Sequence, residues 1–275
     1  MTHTRFGLIG HPIAHSLSPS LFRAGYDGRY PYDLIESADF EEAYTRFLNE
    51  YQGINVTAPF KESAFAKAEI LSEECELIKA TNLLVKTPEG VKAYNSDYLG
   101  VRMWLEETAP RTSKESLKDI KVLIVGTGGA GKAAAIAAAS LGMNITLINR
   151  NTAKAEAVAG NIARMQGAPE TSVHPIGCFR ECFRKADIII YNIPMAIPEL
   201  AGLAAEDIGK DRPKFILEAN YRNPSFGKEL TDMMHRANPL AEYTNGKVWL
   251  LFQALTGYEI FTGEKPDLAS MSAVL

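Results

Sequence analysis

Lys121-Val-Leu-Ile-Val125-Gly126-Thr-Gly128-Gly129-Ala130-Gly131-Lys132 is the stretch whose reading decides the fold. Lys121–Val125 is a continuous apolar run of the kind buried on both faces of a parallel sheet. The Ala-rich residues 132–141 that follow read as a helix. Between them stands G-x-G-x-x-G, a weak pattern alone, but one whose required context is a strand before it and a helix after it. In that context the first glycine permits a tight turn and the second lets backbone amides approach a pyrophosphate. The third allows close helix packing, with the helix N-terminus facing the anion. A plain strand–helix turn is the alternative, and the context disfavours it.

The next strand, Ile145–Ile148, runs into Asn149-Arg150-Asn151, with Lys154 one turn later. A site for NAD carries Asp or Glu near this point to hold the ribose 2′-hydroxyl. Here a guanidinium and an ammonium stand instead, and they suit a 2′-phosphate, with Arg150 able to grip it bidentately. Two cations at a helix start otherwise oppose the helix dipole. The dinucleotide expected is therefore NADP(H).

Further outward, Asp187–Tyr191 and Lys214–Ala219 supply two more strands with helical patterns between them, the alternation of a doubly wound α/β domain. The first hundred residues alternate as well. Phe6–Ile9, Tyr32–Ile35 and Ile54–Val56 read as strands, and Phe40, Ala43, Tyr44, Phe47, Leu48 and Tyr51 mark one helix face. Asn82–Lys86 and Val91–Asn95 flank a Pro88–Gly90 turn as a hairpin. Asp97 precedes a helix carrying Leu99, Met103 and Trp104, and Thr108–Ser116 is the clearest linker. The aromatic-rich Val248–Phe261 reads as a helix returning to the first domain. The expectation is an N-terminal α/β domain of residues 1–101 plus 240–275, and a Rossmann-type parallel-sheet domain of residues 102–239.

The bulk numbers agree with a folded enzyme: 275 residues, 46% hydrophobic and 23% charged. A net charge of -4 gives no reason to expect a nucleic-acid or anionic-membrane partner. Met1–Gly10 has no secretory pattern, and the longest apolar run, Ala133–Leu141, is too short to span a bilayer. Cys75, Cys178 and Cys182 lack metal-ligand spacing and read as buried thiols in a reducing compartment. The expected location is cytoplasmic, the partner a small molecule, the metal none, the assembly a monomer or homodimer.

Three polar clusters in the first domain each read two ways. Ser16 and Ser18, on alternate residues, suit one carboxylate, yet Ser18 before Pro19 also suits a helix cap. Lys61 falls where a helix should begin, a misplacement that proteins accept when a lysine does chemistry or holds an anion; an exposed surface lysine is the bland reading. Asp97 is either a cap or a functional carboxylate.

Taken together, these stretches can be named. Gly10-His-Pro-Ile-Ala-His-Ser-Leu-Ser-Pro19 resembles the opening motif of the shikimate dehydrogenase family, and Asn55-Val-Thr57-Ala-Pro59-Phe-Lys61 its catalytic-lysine motif. Asn95-Ser-Asp97-Tyr-Leu-Gly100 resembles its catalytic-aspartate motif. Gly126–Ala130 and Asn149-Arg150 match its NADP segments, and Gly246-Lys-Val-Trp-Leu250-Leu-Phe-Gln253 its C-terminal glutamine helix. The resemblance implies reversible reduction of 3-dehydroshikimate to shikimate with NADPH. It implies Lys61 and Asp97 as the catalytic pair, and Ser16, Ser18, Thr57, Asn82, Tyr221 and Gln253 as substrate contacts. Gly126, Gly128, Gly129, Ala130, Gly131, Asn149, Arg150 and Lys154 are the expected cofactor residues. A quinate/shikimate dehydrogenase and a non-catalytic NADP binder on the same scaffold are the alternatives.

The chain departs from that family's pattern in four places. Phe22-Arg23 stand where His-Asn is common. Lys79 and Leu83 replace a glycine and a threonine around Asn82. Asn192-Ile-Pro194-Met195-Ala-Ile-Pro198 differs from the Asn-Ala-Thr-Pro type turn that lines the nicotinamide. Glu218 replaces an aspartate.

Overall fold

Phe6–Gly10 (β1) is buried along its whole length, as a strand with parallel neighbours on both sides must be. The structure, a computed structural model, describes residues 4–275. After β1 come Ser18–Gly25 (α1), Tyr32–Glu36 (β2), Phe40–Glu50 (α2), Gly53–Val56 (β3), Lys61–Lys67 (α3), Ile70–Leu71 (β4) and Glu73–Ile78 (α4). Leu83–Thr87 (β5) and Gly90–Tyr94 (β6) form the expected hairpin, and Ser96–Thr108 (α5) follows. The sheet order is β2-β1-β3-β5-β6-β4. β1 lies parallel to β2 and β3, whereas β5 runs antiparallel to both β3 and β6. One edge of this sheet therefore collects the carboxyl ends of β1, β3 and β6 with the amino end of β5. Helix α2 packs as its spacing predicts: Ala43, Tyr44 and Phe47 are buried with Ile9, Ile54 and Val56. Its N-terminus is capped by Asp39, which accepts the amides of Glu41 and Glu42.

The second unit is built on a six-stranded, all-parallel sheet. Its elements are Lys121–Val125 (β7), Gly129–Ser140 (α6), Asn144–Asn149 (β8), Thr152–Ile162 (α7), Thr171–Pro175 (β9), Phe179–Lys185 (α8), Ile188–Tyr191 (β10), Pro198–Ala201 (α9), Ala205–Ile208 (α10), Lys214–Glu218 (β11), Lys228–Ala237 (α11) and Ala241–Thr244 (β12). The order β12-β11-β10-β7-β8-β9 is doubly wound, and chain order reverses between β7 and β10. Gly129, Ala130 and Gly131 belong to α6 itself, which starts three residues before the Ala-rich run. β9 and β12, the two edge strands, escape the sequence reading. Both are only partly buried, so neither shows the continuous apolar run of a central strand.

Gly246–Thr262 (α12) and Leu268–Ser272 (α13) complete the chain. Ala254, Tyr258, Phe261 and Met271 join Phe6, Leu21, Phe22 and Tyr26 in one core, where the Phe6 and Phe261 rings stack at 5.0 Å. One unit thus comprises the chain up to Gly100 with Leu250–Leu275, and the other Val101–Trp249. The return falls at Leu250 rather than at residue 240, because Ala241–Thr244 pairs in register with β11. No described helix is long and apolar enough to cross a membrane.

Candidate active site

Lys61 is the first residue of α3, at the carboxyl side of β3, and Asp97 lies in the first turn of α5, just past β6. The sheet order brings these two strand ends to the same edge, so residues 36 positions apart meet. The Lys61 ammonium donates to the Asp97 carboxylate. Their side chains are 23% and 15% exposed, which leaves the pair largely out of water. A capping role for Asp97 does not hold, because Asn95 caps α5. Asn95 Oδ1 accepts the Tyr98 amide at 3.1 Å, while Asn95 Nδ2 donates to the Ala80 carbonyl at 3.1 Å. Glu74 accepts the Asn95 amide at 3.2 Å and so braces the cap.

Asn82, immediately before β5, joins the same edge and is buried. Its Oδ1 accepts the Ser96 amide at 2.7 Å, and its Nδ2 donates to Gln253 Oε1 at 3.4 Å. The Ser96 hydroxyl donates to the same Gln253 oxygen at 3.1 Å. The glutamine amide is thereby oriented by its oxygen, and its NH2 carries the donors that remain for a ligand. Gly100 makes this approach possible: a Cβ there would stand 2.5 Å from the Gln253 amide nitrogen. Ser96 and Asn95 were not singled out from the sequence as functional, although both stand beside Asp97.

The two serines also come together, but in a turn rather than an extended segment. Ser16 Oγ donates to Ser18 Oγ at 3.1 Å and accepts the Ser18 amide at 3.2 Å. Helix α1 begins at Ser18, with Leu17 in the cap position and Pro19 in the first turn. Both serines are half-buried beyond the end of β1, and Thr57, half-buried, follows β3, its amide donating to the Ile9 carbonyl of β1 at 2.9 Å. Behind α1, Tyr258 donates to the Ser18 carbonyl at 3.0 Å. Phe22, standing where a histidine is common, has no exposure and packs edge-on to Tyr258 with centroids 4.7 Å apart. An imidazole there would need a polar partner inside an aromatic core. Lys79 takes the glycine position in a left-handed conformation (φ 59°) that closes α4, and Leu83 is fully buried in the aromatic core.

In the second unit, Gly126 has φ +86°, and a Cβ on Gly131 would lie 1.9 Å from the Gly126 carbonyl oxygen. Both positions thus require glycine. Gly128, the N-cap of α6, supplies no side-chain cap, and a Cβ built on it meets nothing within 4 Å. The amides that open this 12-residue helix therefore face space rather than a cap of their own, a donor set that fits a pyrophosphate. Asn149 Nδ2 donates to Thr127 Oγ1 at 2.8 Å, and Asn149 Oδ1 accepts the Arg150 amide at 2.9 Å. One side chain thus ties the glycine loop to the base of Arg150. Arg150 and Lys154 are exposed, and the first turn of α7 contains no acidic residue.

Tyr221 is half-buried in the loop after β11, in the second unit, whereas the other substrate candidates belong to the first. Glu218, the larger replacement for an aspartate, is fully buried yet satisfied. It accepts the amides of Ser225 at 2.5 Å and Phe226 at 3.2 Å, and the Tyr243 hydroxyl at 2.7 Å. Burial, then the Glu218 hydrogen bond, holds the Tyr243 phenol well above its ordinary pKa.

A model of the shikimate dehydrogenase substrate binding domain matches residues 8–84, and one of shikimate / quinate 5-dehydrogenase matches residues 107–217. A shikimate dehydrogenase (NADP(+)) of Halobacterium salinarum is 30% identical over 98% of this chain and 97% of that protein. The solved shikimate dehydrogenase of Mycobacterium tuberculosis superposes with a TM-score of 0.79 at 27% identity, covering 98% of both chains. The Thermus thermophilus shikimate 5-dehydrogenase in complex with shikimate gives a TM-score of 0.76 at 25% identity, over 98% of this chain and 97% of that one. Asp97, Tyr221 and Gln253 lie outside both matched family spans.

Proposed function

The chain belongs to the shikimate dehydrogenase family, and from that membership we propose that it catalyses the reversible NADPH-dependent reduction of 3-dehydroshikimate to shikimate, a step toward the aromatic amino acids. The observation that carries this reading is the largely desolvated Lys61–Asp97 pair, set on the sheet edge that also carries Asn82, whose side chain binds Gln253. A protein that only bound a dinucleotide would have no use for such a pair.

On this reading the first unit binds the substrate and the second binds NADP. Ser16 and Ser18 hold the ring carboxylate with paired hydroxyls, and Thr57, Asn82 and Gln253 hold ring hydroxyls. Tyr221 is assigned to the carboxylate as well. In the second unit the amides of Gly128, Gly129, Ala130 and Gly131 hold the pyrophosphate, while Arg150 and Lys154 hold the 2′-phosphate. NADPH supplies the hydride. As the substrate carbonyl is reduced, negative charge grows on its oxygen, and a positioned proton donor lowers that barrier. Lys61 and Asp97 act there as a unit, the carboxylate orienting the ammonium toward the oxygen. In the reverse direction the same pair takes the hydroxyl proton.

The test is to follow oxidation of shikimate and quinate, each with NADP+ and with NAD+. The expected ranking places shikimate with NADP+ first. A preference for quinate with NAD+ would overturn the assignment, and tight NADP+ binding without turnover would revive the non-catalytic alternative.

A further inference from the structure

The segment Asn192–Pro198 departs from the family's usual turn, and its apolar composition offers few side chains to hold it in shape. Isoleucine, methionine, alanine and proline make no side-chain hydrogen bonds, and Pro194 and Pro198 also lack an amide donor. The loop is nonetheless held, by a residue just outside it. Tyr191, the last residue of β10, has no solvent exposure. Its hydroxyl donates to the Met195 carbonyl at 2.7 Å and accepts the Ile197 amide at 3.2 Å. The loop thus closes around a phenol instead of around its own backbone. From the other side, Asn220 Nδ2 donates to the Pro194 carbonyl at 3.4 Å. Burial raises the Tyr191 phenol above its ordinary pKa, so it stays protonated and keeps donating throughout the neutral range.

The location of this loop gives the tether a meaning. β10 is the neighbour of β7, and chain order reverses between them, which opens a crevice at their carboxyl ends. The Asn192 amide donates to the Val125 carbonyl at 2.8 Å. The Ile193 side chain lies 3.0 Å from where a Cβ on Gly126 would stand, so the loop starts against the glycine turn itself. Arg150 and Asn149 mark the β8 side of that turn as the adenosine side. A dinucleotide crossing the crevice carries its other half toward β10. Met195, whose carbonyl the phenol holds, is 65% exposed at this rim.

We propose that Tyr191 is a positioning residue for the nicotinamide half of the cofactor site, fixing residues 192–198 in the shape that the ring meets. The proposal rests on the NADP reading above. It accounts for how a loop with few polar side chains is held: a phenol from the preceding strand bonds its backbone at two points.

The experiment is Tyr191→Phe in the full chain, with calorimetric titration of NADP+ and of 2′,5′-ADP, which keeps the adenosine half and lacks the nicotinamide. Two lost hydrogen bonds predict NADP+ binding weaker by about five- to a hundredfold, with 2′,5′-ADP binding unchanged. A second variant, Ile197→Pro, removes the amide that the phenol accepts and, with it, the Ile197 side chain that packs against the core of the second unit. It suits the extended backbone there (φ -88°, ψ 153°) and should weaken NADP+ selectively in the same way. Equal weakening of both ligands would reveal a merely structural residue, and no weakening of either would leave the tether without a function; each result overturns the proposal. Failure of the parent protein to bind 2′,5′-ADP would instead remove the NADP reading on which it stands.

Discussion

Replacing Lys61 with alanine separates two effects of very different size. Lys61 pairs with Asp97 at side-chain exposures of 23% and 15%, so the pair keeps some contact with water and its loss should cost only about 1 kcal/mol of stability. The stranded carboxylate stays in the first turn of a 13-residue helix, where the helix dipole favours a negative charge by about 0.3–1 kcal/mol. A loss of that size lowers Tm by about 2–4 °C in a chain of this length. Removal of a proton-transfer group, by contrast, lowers kcat by about 10²–10⁴, which corresponds to about 3–5 kcal/mol of barrier. The rate effect therefore dominates, and the variant should be folded, should bind substrate with KM within a few fold of the parent, and should turn over poorly. Lys61→Arg sharpens the test, since arginine restores the charge and the ion pair but does not give up its proton near neutral pH. It should recover the Tm and not the rate. The measurements are thermal unfolding and steady-state kinetics followed by NADPH absorbance. A raised KM with kcat preserved, or full rescue by arginine, would refute the reasoning and leave Lys61 as an electrostatic anchor.

Arg150→Ala should lower kcat/KM for NADPH by about 10- to 100-fold, the worth of one charge-assisted contact, while leaving NADH within a few fold; equal losses on both cofactors would show that Arg150 does not read the 2′-phosphate. Lys214 makes a pH prediction. It is fully buried at the start of β11 and donates to the Phe183 and Ala186 carbonyls at 2.7 and 2.6 Å. Burial, reinforced by Arg212 and opposed by Asp187, lowers its pKa to about 7. The unfolded chain keeps that proton up to the ordinary value of 10.5, so between the two values unfolding takes up a proton and stability rises with pH, whereas below the lower value the contribution is flat and least favourable. The Tm of the parent minus that of Lys214→Met should rise by several degrees from about pH 7 to about pH 9, and a value that falls over that range would contradict the assignment.

Much of the fold is legible in the order of residues because it is written in local patterns. The apolar run Lys121–Val125, the glycines that no side chain could replace, and the stripe Ala43, Tyr44 and Phe47 each declare their element within about a dozen residues. The edge strands Thr171–Pro175 and Ala241–Thr244 do not, since an edge strand is buried on fewer sides and its pattern is diluted by polar residues. That dilution also moved the apparent return of the chain from Leu250 to residue 240. Arg150 and Lys154 are legible for the same local reason as the glycines, because their meaning depends on one strand end and one helix start.

What the sequence by itself determined is therefore the family, the glycine turn, the basic strand end and the identities of Lys61, Asp97, Ser16 and Ser18. Which partner each of these polar residues meets was decided only by tertiary structure. Asp97 is a partner for Lys61 and not a cap because Asn95, held by Glu74 and the Ala80 carbonyl, already caps α5. Gln253 is aimed by Asn82 and Ser96, residues 171 and 157 positions away. Tyr191 reads in the sequence as one more apolar strand residue, and its hydroxyl acquires a role only where the chain folds back over it. Local patterns record backbone preference and burial, which act over a few residues. Hydrogen-bond partners are chosen by whichever distant segment the sheet order brings alongside, and no local pattern contains that choice.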